Sequence, residues 1–514
     1  MSVEPNDLWH WLLLVQHELL LFAGVFFLIG ALDDLCLDAV YGWLRLRRRA
    51  GTPTRERAEL TARALTGPAA VFIPAWSEAE VIGNTLARML AAWPQSDLVI
   101  YVGCYRNDAA TLAAVMAAAQ ADCRVRLVIH TQDGPTTKAD CLNRLYRALC
   151  ADERRIGCEY AMVVFHDAED MVDPAALGLL DEAIAEGSDF VQLPVEPLVQ
   201  RHRSWFNNHL GSHYCEEFAE AHGKALVVRD ALGAAVPGAG VGCAAARAML
   251  RQLAASHASR APFRDDSLTE DYELGLAIAE AGGRCRFIRA RGCDGRLIAT
   301  RAYFPARLDH VIGQKTRWIH GIALQGWDRV GWSGGLIERW MRARDRRGPF
   351  AGLVLVTGYA LIVLTALGTL AVLIGGFEPA PVGPFVSGLL AANLAAFAWR
   401  LVCRFAFTAR LYGWAEGARA VLRIPLANVV AIMAGRRAVM AYVASLRGAA
   451  LVWDKTPHVL HPAKPGSTAS ARPALPLLAP QSLSSSLSSS LSSSRPARPL
   501  LVAPAHASAP LLLW

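Results

Sequence analysis

The eleven cysteines of this 514-residue chain include no C-x-x-C pair, so their spacing excludes a thiolate zinc site and a dithiol redox motif. Charged residues are scarce, at 19% against 53% hydrophobic, which excludes an ordinary soluble protein. Aromatic and basic residues do not interleave, and the arginines gather beside apolar runs. The net charge of +7 therefore fits a protein seated on an anionic membrane surface, and no nucleic-acid partner is expected. The opening "MSVEPND" lacks the basic start of a removable leader, and no small-residue cleavage site follows the first apolar run. That run is expected to stay in the mature protein.

What is present is a membrane pattern. "LWHWLLLVQHELLLFAGVFFLIGAL" makes residues 1–34 a transmembrane anchor, long enough to cross a hydrocarbon core of about 30 Å. The arginine-rich "RLRRRAGTPTRER" follows it, and clustered arginines stay on the cytoplasmic side. This puts the start outside and the bulk of the chain on the cytoplasmic side, with its cysteines mostly reduced. Apolar runs within 349–404 form a second membrane element, a hairpin with both ends cytoplasmic. At 417–458 a helical region carries Asn428, Arg436 and Arg437 near its middle, which favours an interfacial helix over a fourth span. The segment 467–514, rich in Ser, Pro and Ala, has too little to bury and is expected to be disordered.

Between these elements, short apolar runs alternate with helical segments: "AAVFI", "LVIYV", "VRLVI", "AMVVF" and "DFVQL", beginning at 69, 98, 125, 161 and 189. This alternation predicts an α/β domain with a mostly parallel sheet. Ligands bind such sheets beyond the carboxyl ends of the strands. The loops found there are "PAWSEAE", "GCYRND", "HTQDGPTTK" and "HDAED". Each carries a carboxylate, and Lys138 adds a cation. Glu78 and Asp108 are candidates for ligand binding, with helix capping as the alternative.

In "FHDAEDMVDP", Asp167 and Glu169 are two residues apart and can face one cation. A hard ion such as Mg2+ or Mn2+ takes one or two carboxylates and completes its shell with substrate phosphates. Asp173, before Pro174, suits a helix start, and Asp170 is open to either role. Farther on, Glu270 and Asp271 in "SLTEDYELG" supply a candidate base or a helix cap. "QKTRWIHG" sets Gln314, Arg317 and Trp318 along one helix. Arg317 could stabilise a diphosphate and Trp318 could face a sugar ring; an interfacial Trp-Arg pair is the alternative.

The order "IPAWSE", "YRND", "KADCLN", "HDAED", "GAGVGCAAAR", "LTEDYELG" and "QKTRW" resembles the membrane-bound family-2 glycosyltransferases over roughly residues 66–330. The resemblance implies a GT-A (Rossmann-like) fold and inverting transfer from a nucleotide-sugar, with the metal at Asp167 and Glu169. It implies that Glu78, Asp108, Lys138 and Asp167 help hold the nucleotide-sugar. Asp271 would be the general base, beside Glu270, while Gln314, Arg317 and Trp318 line the diphosphate and acceptor site. Outside these motifs, "LIGALDDLCLDAVY", "EEFAEAHGKALVVRDALGAAVPGAGVG" and "LVWDKTPH" resemble the bacteriophage adsorption protein B family of inner-membrane glycosyltransferases. Two features depart from the broader pattern: Gly103 and Cys104 replace a pair of aspartates upstream of Asp108, and the D-x-D is D-x-E.

The expected reaction moves a sugar from a UDP-hexosamine or UDP-hexose to a growing exopolysaccharide or a lipid-linked acceptor. Few spans point to a homo-oligomer or an outer-membrane export partner. Two alternatives are a non-catalytic docking component for envelope export or phage adsorption, and a polyprenyl-phosphate glycosyltransferase.

Overall fold

All five apolar runs become strands: β1 (Ala69–Pro74), β2 (Leu98–Tyr105), β3 (Val125–His130), β4 (Met162–Phe165) and β5 (Phe190–Gln192). The structure, a computed structural model, describes residues 5–201, 204–378 and 382–449. "LVWDKTPH" and the tail at 467–514 lie outside the described residues. Two further strands, β6 (Cys243–Ala246) and β7 (Cys285–Phe287), complete a seven-stranded sheet of order β3-β2-β1-β4-β6-β5-β7. β1 pairs in parallel with β2 and β4, as β2 does with β3, whereas β6 runs antiparallel to both β4 and β5.

Every residue of β1 is buried, because helices cover both faces. Val71 and Ile73 pack with Leu86 and Met89 of α2 (Ile82–Ala92), and with Leu177 and Leu180 of a helix at 176–185. Ala70 and Phe72 face the other way, into a second core with Leu142, Leu145 and Leu149 of α4 (Lys138–Ile156). Strand alternation thus feeds two apolar layers, and each buried leucine contributes about 1.5–3 kcal/mol of transfer free energy. Between them in sequence, α3 (Ala109–Ala121) follows β2. Thr137 caps α4 by accepting from the Asp140 backbone N–H at 3.1 Å, and Gly157, at φ +68°, ends it in the left-handed turn that glycine tolerates.

The site and the apolar helices are joined by α5 (Ala176–Ala185), α6 (Trp205–Glu220), α7 (Glu270–Glu280), α8 (Leu308–Trp318) and α9 (Leu336–Arg346). With α1 (Pro5–Leu46), the helices α10 (Gly348–Gly375), α11 (Pro384–Tyr412) and α12 (Ile424–Leu446) are four helices long and apolar enough to cross a membrane. That is one more than the three spans expected. Asn428 meets the Tyr359 hydroxyl of α10 at 3.3 Å, so its polar group does not face hydrocarbon alone. α12 packs along both α10 and α8, with Val430, Ala434 and Ala438 buried.

Candidate active site

Lys138 is the first residue of α4, where the helix dipole disfavours a cation. Carboxylates compensate. Its Nζ lies 2.7 Å from Asp167 and 3.9 Å from Glu270. Burial opposes the Lys138 charge, but Asp167, Glu270 and Asp271 outweigh it and hold the pKa above its ordinary value. Asp167 comes from the loop after β4 and Glu270 from the start of α7, so this ammonium joins two motifs separated by about a hundred residues.

At the start of α7, neither acid serves as the cap. Thr269 occupies that position and makes no side-chain capping bond, and the Oδ1 of Asp271 accepts from the Tyr272 backbone N–H at 2.7 Å. Burial, reinforced by Asp271, pushes the Glu270 carboxyl up to about 7; burial also raises Asp271, against the pull of Lys138. The approach to Asp271 depends on glycine. A Cβ on Gly240, which has φ +78°, would sit 2.4 Å from the Asp271 Oδ2 and 3.2 Å from the Lys138 Nζ. The loop "GAGVG" thus presses its backbone against the acid.

One cleft is lined by Glu78, Lys138, Asp167, Glu169, Glu270, Asp271, Gln314, Arg317 and Trp318, together with Asp170. Asp108 is the exception among the expected residues. Its carboxylate accepts from the backbone N–H of Ser77 at 2.6 Å and of Thr111 at 3.3 Å. It caps α3 and steadies the turn before Glu78. Asp170 is buried; its Oδ2 meets the His166 Nδ1 at 2.8 Å and accepts from the Asp167 backbone N–H at 3.0 Å. It holds the acidic loop in shape. Asp173 accepts from the Ala175 N–H at 3.1 Å as the chain enters α5, and pairs with Arg57 and Arg301.

On α8, the Oε1 of Gln314 is buried with no hydrogen-bond partner among the described residues, a state a ligand hydroxyl would relieve. Trp318 forms an edge-on pair with Tyr214 of α6, at 6.0 Å between ring centroids. The helix continues into a π-helical segment, Ile319–Gln325, where a Cβ on Gly321 would sit 2.4 Å from the Thr269 Oγ1. This glycine lets the two motif helices touch. Sequence reasoning missed Gly240 and Gly321 as individual residues, although "GAGVG" and "IHG" were visible. It also missed Tyr303 and Trp76, which line the same cleft and carry no spacing signal.

Among the described residues no group of three or more His, Cys, Asp or Glu side chains could hold a metal ion. Asp167 and Glu169 offer a two-carboxylate set at the cleft wall. That number fits a Mg2+ or Mn2+ whose remaining ligands are phosphate oxygens and water.

A parallel sheet with one inserted antiparallel strand, and an acidic loop facing a helix-borne acid across its edge, define a GT-A glycosyltransferase domain. Residues 67–321 match the family described as "Glycosyltransferase like family 2", and the catalytic domain of this chain belongs to that family. Along 475 residues the chain is 32% identical to bacteriophage adsorption protein B of Escherichia coli strain K12, covering 88% of this chain and 63% of that protein. Bacteriophage N4 adsorption protein B of Escherichia coli O157:H7 matches to the same extent. The chain thus spans less than two thirds of the length of these relatives. Among solved structures, a mannosyltransferase from Pyrobaculum calidifontis in complex with GDP-Man and Mn2+ aligns over 79% of this chain and 98% of its own. That alignment has 17% identity and a TM-score of 0.47.

Proposed function

We propose that this chain is a membrane-bound inverting glycosyltransferase that moves a sugar from a nucleotide-sugar, a UDP-hexosamine or UDP-hexose, to a growing exopolysaccharide. The observation that carries this reading is the single cleft in which Lys138, Asp167, Glu270, Asp271, Gln314 and Arg317 converge. Asp271 accepts the proton of the acceptor hydroxyl; its raised pKa makes it a stronger base than an exposed aspartate. Arg317 and Lys138 bind and orient the diphosphate, whose growing negative charge they stabilise. Asp167 and Glu169 would hold Mg2+ or Mn2+, which neutralises charge on the departing nucleoside diphosphate. Glu78 lies near the nucleotide, Trp318 offers a ring face to the acceptor sugar, and Asp108 acts on the nucleotide side through the Ser77 turn.

The inner membrane is the proposed location, with the catalytic domain cytoplasmic, where nucleotide-sugars are made. The arginines after α1 support that orientation. Arg436 and Arg437 of α12 are exposed and the helix packs on α8, which supports an interfacial placement for it. An outer-membrane partner would receive the polymer.

The test is Asp271→Asn in membranes expressing the full chain, assayed with UDP-sugars and Mn2+. Transfer is expected to fall at least about a thousandfold while donor binding persists; unchanged turnover would remove Asp271 as the base. One observation favours a second reading, a non-catalytic docking component. A Cβ on Gly103 would lie 2.6 Å from the Cys141 Sγ, so the replaced aspartate pair cannot be restored there without repacking. Failure to bind any nucleotide-sugar would favour it, and metal-dependent release of nucleoside diphosphate would exclude it. A single-sugar lipid product would instead favour a polyprenyl-phosphate acceptor.

A further inference from the structure

We propose that a second cavity, sharing no lining residue with the active-site cleft, binds a phosphate-bearing anion, with Arg289 as its anchor and Arg49 and Arg284 beside it. The cavity has a volume of about 680 Å³, within the size range of small-molecule sites. It lies between the connector that follows α1, the end of α5, a turn near 230 and the edge strand β7. Its lining includes Arg49, Arg55, Arg284, Arg286 and Arg289.

The carboxylates in the lining are largely used already. Glu182 takes Arg55 through two hydrogen bonds, at 2.7 and 2.6 Å, and Asp230 takes Arg286 at 2.9 Å. Glu186 acts on Arg55. Among the described residues, no carboxylate has an ion-pair contact with Arg49, Arg284 or Arg289. Arg289 donates to the Thr52 hydroxyl of the connector, and its Nε is buried with no hydrogen-bond partner among the described residues. A guanidinium with an orphaned Nε can present a fork to two oxygens of one phosphate.

The electrostatic setting points the same way. Burial and the neighbouring Arg291, Arg410 and Arg45 push Arg289 down to about 10, so at neutral pH it keeps a charge that its surroundings oppose. An anion would relieve that opposition. Arg45 and Arg410 stand in the last turns of α1 and α11, both able to cross a membrane. The anion could therefore be a lipid phosphate headgroup or a soluble phosphate, two sources of one chemistry.

Hydrogen exchange on the full chain in nanodiscs tests this, read over 49–55 and 284–292. One arm adds inorganic phosphate to phosphatidylcholine discs; the other substitutes phosphatidylglycerol for part of the lipid. Exchange is expected to slow about tenfold at ten times the dissociation constant. Slowing with inorganic phosphate identifies a soluble ligand, and slowing with phosphatidylglycerol alone identifies a headgroup. Arg289→Ala should abolish the effect and Arg289→Lys weaken it several-fold, whereas Arg251→Ala, at an exposed pair with Glu159, should retain it. If Arg289→Ala does not fold, the Arg49→Ala, Arg284→Ala double variant carries the same expectation. No protection in either arm, or equal protection in the variants, overturns the proposal. Because the readout ignores sugar transfer, it stands or falls independently of Asp271.

Discussion

Glu270 is buried in a cleft that also holds Asp167 and Asp271, and Lys138 alone does not erase the cost of that crowding. With its folded pKa near 7, raised from an ordinary 4.5, Glu270 favours the folded state below about pH 4.5. That contribution is lost as pH rises through about 7. Glu270→Gln is therefore expected to melt about 3 °C or more above the parent at pH 8, with a much smaller difference at pH 5. Melting curves at the two pH values measure this; an equal gain at both would show that ionisation is not the cause. At this scale the sequence separated candidates by type but not by use. Asp167 and Asp170 both follow β4 and both border the cleft, and their partners distinguish them: Asp167 pairs with Lys138, whereas Asp170 is tied to His166 and to the Asp167 backbone N–H and shapes the loop. Asp108 looked like a ligand because its loop lies on the right sheet edge, yet backbone N–H groups occupy its carboxylate.

Helix packing decides whether the acids of α7 reach their place. Gly275 lies one turn beyond Asp271, and a Cβ there would meet the Val236 carbonyl oxygen at 2.1 Å. Gly178 of α5 has an equivalent contact with the Leu60 carbonyl oxygen, also at 2.1 Å. Both partners are backbone and cannot swing aside, so Gly275→Ala and Gly178→Ala should each cost about 3 kcal/mol. The variants should differ in activity. Gly275→Ala shifts the helix that carries Glu270 and Asp271 and is expected to lower kcat more than tenfold, whereas Gly178→Ala should leave kcat in the surviving folded fraction near the parent. Comparing denaturation midpoints with turnover per folded molecule tests the pair. The parallel strands were legible because β-branched runs alternated with amphipathic helices. β6 was not, since "CAAA" is a weak strand former whose alanines fit only because β4 and β5 flank it closely.

Across the whole molecule, the junction between the membrane-capable helices and the GT-A domain is built from ion pairs. Asp33 and Asp34 of α1 meet Arg344 and Arg347, with Asp34 to Arg344 at 2.9 Å and to Arg347 at 3.0 Å. Asp38 meets Lys224 and accepts from the Trp399 indole at 2.8 Å. These links tie α1 to α9, to the segment after α6 and to α11. Removing one partner of a shielded network leaves charge unpaired, so Asp34→Asn is expected to cost about 3 kcal/mol in detergent. Arg251→Ala, in an exposed pair, should cost under about 1 kcal/mol. Similar losses would show that the junction is no more than a solvated surface contact.

The sequence by itself determined the glycosyltransferase family of the α/β domain and the presence of helices apolar enough to cross a membrane, because both depend on local pattern: strand and helix periods, apolar length, and motifs at strand ends. The tertiary structure decided which acid faces the cleft, which one shapes a loop, and where glycine must stand. Those outcomes depend on distances between residues far apart in the chain, such as Lys138 with Glu270 and Gly321 with Thr269, and no local pattern encodes such a distance.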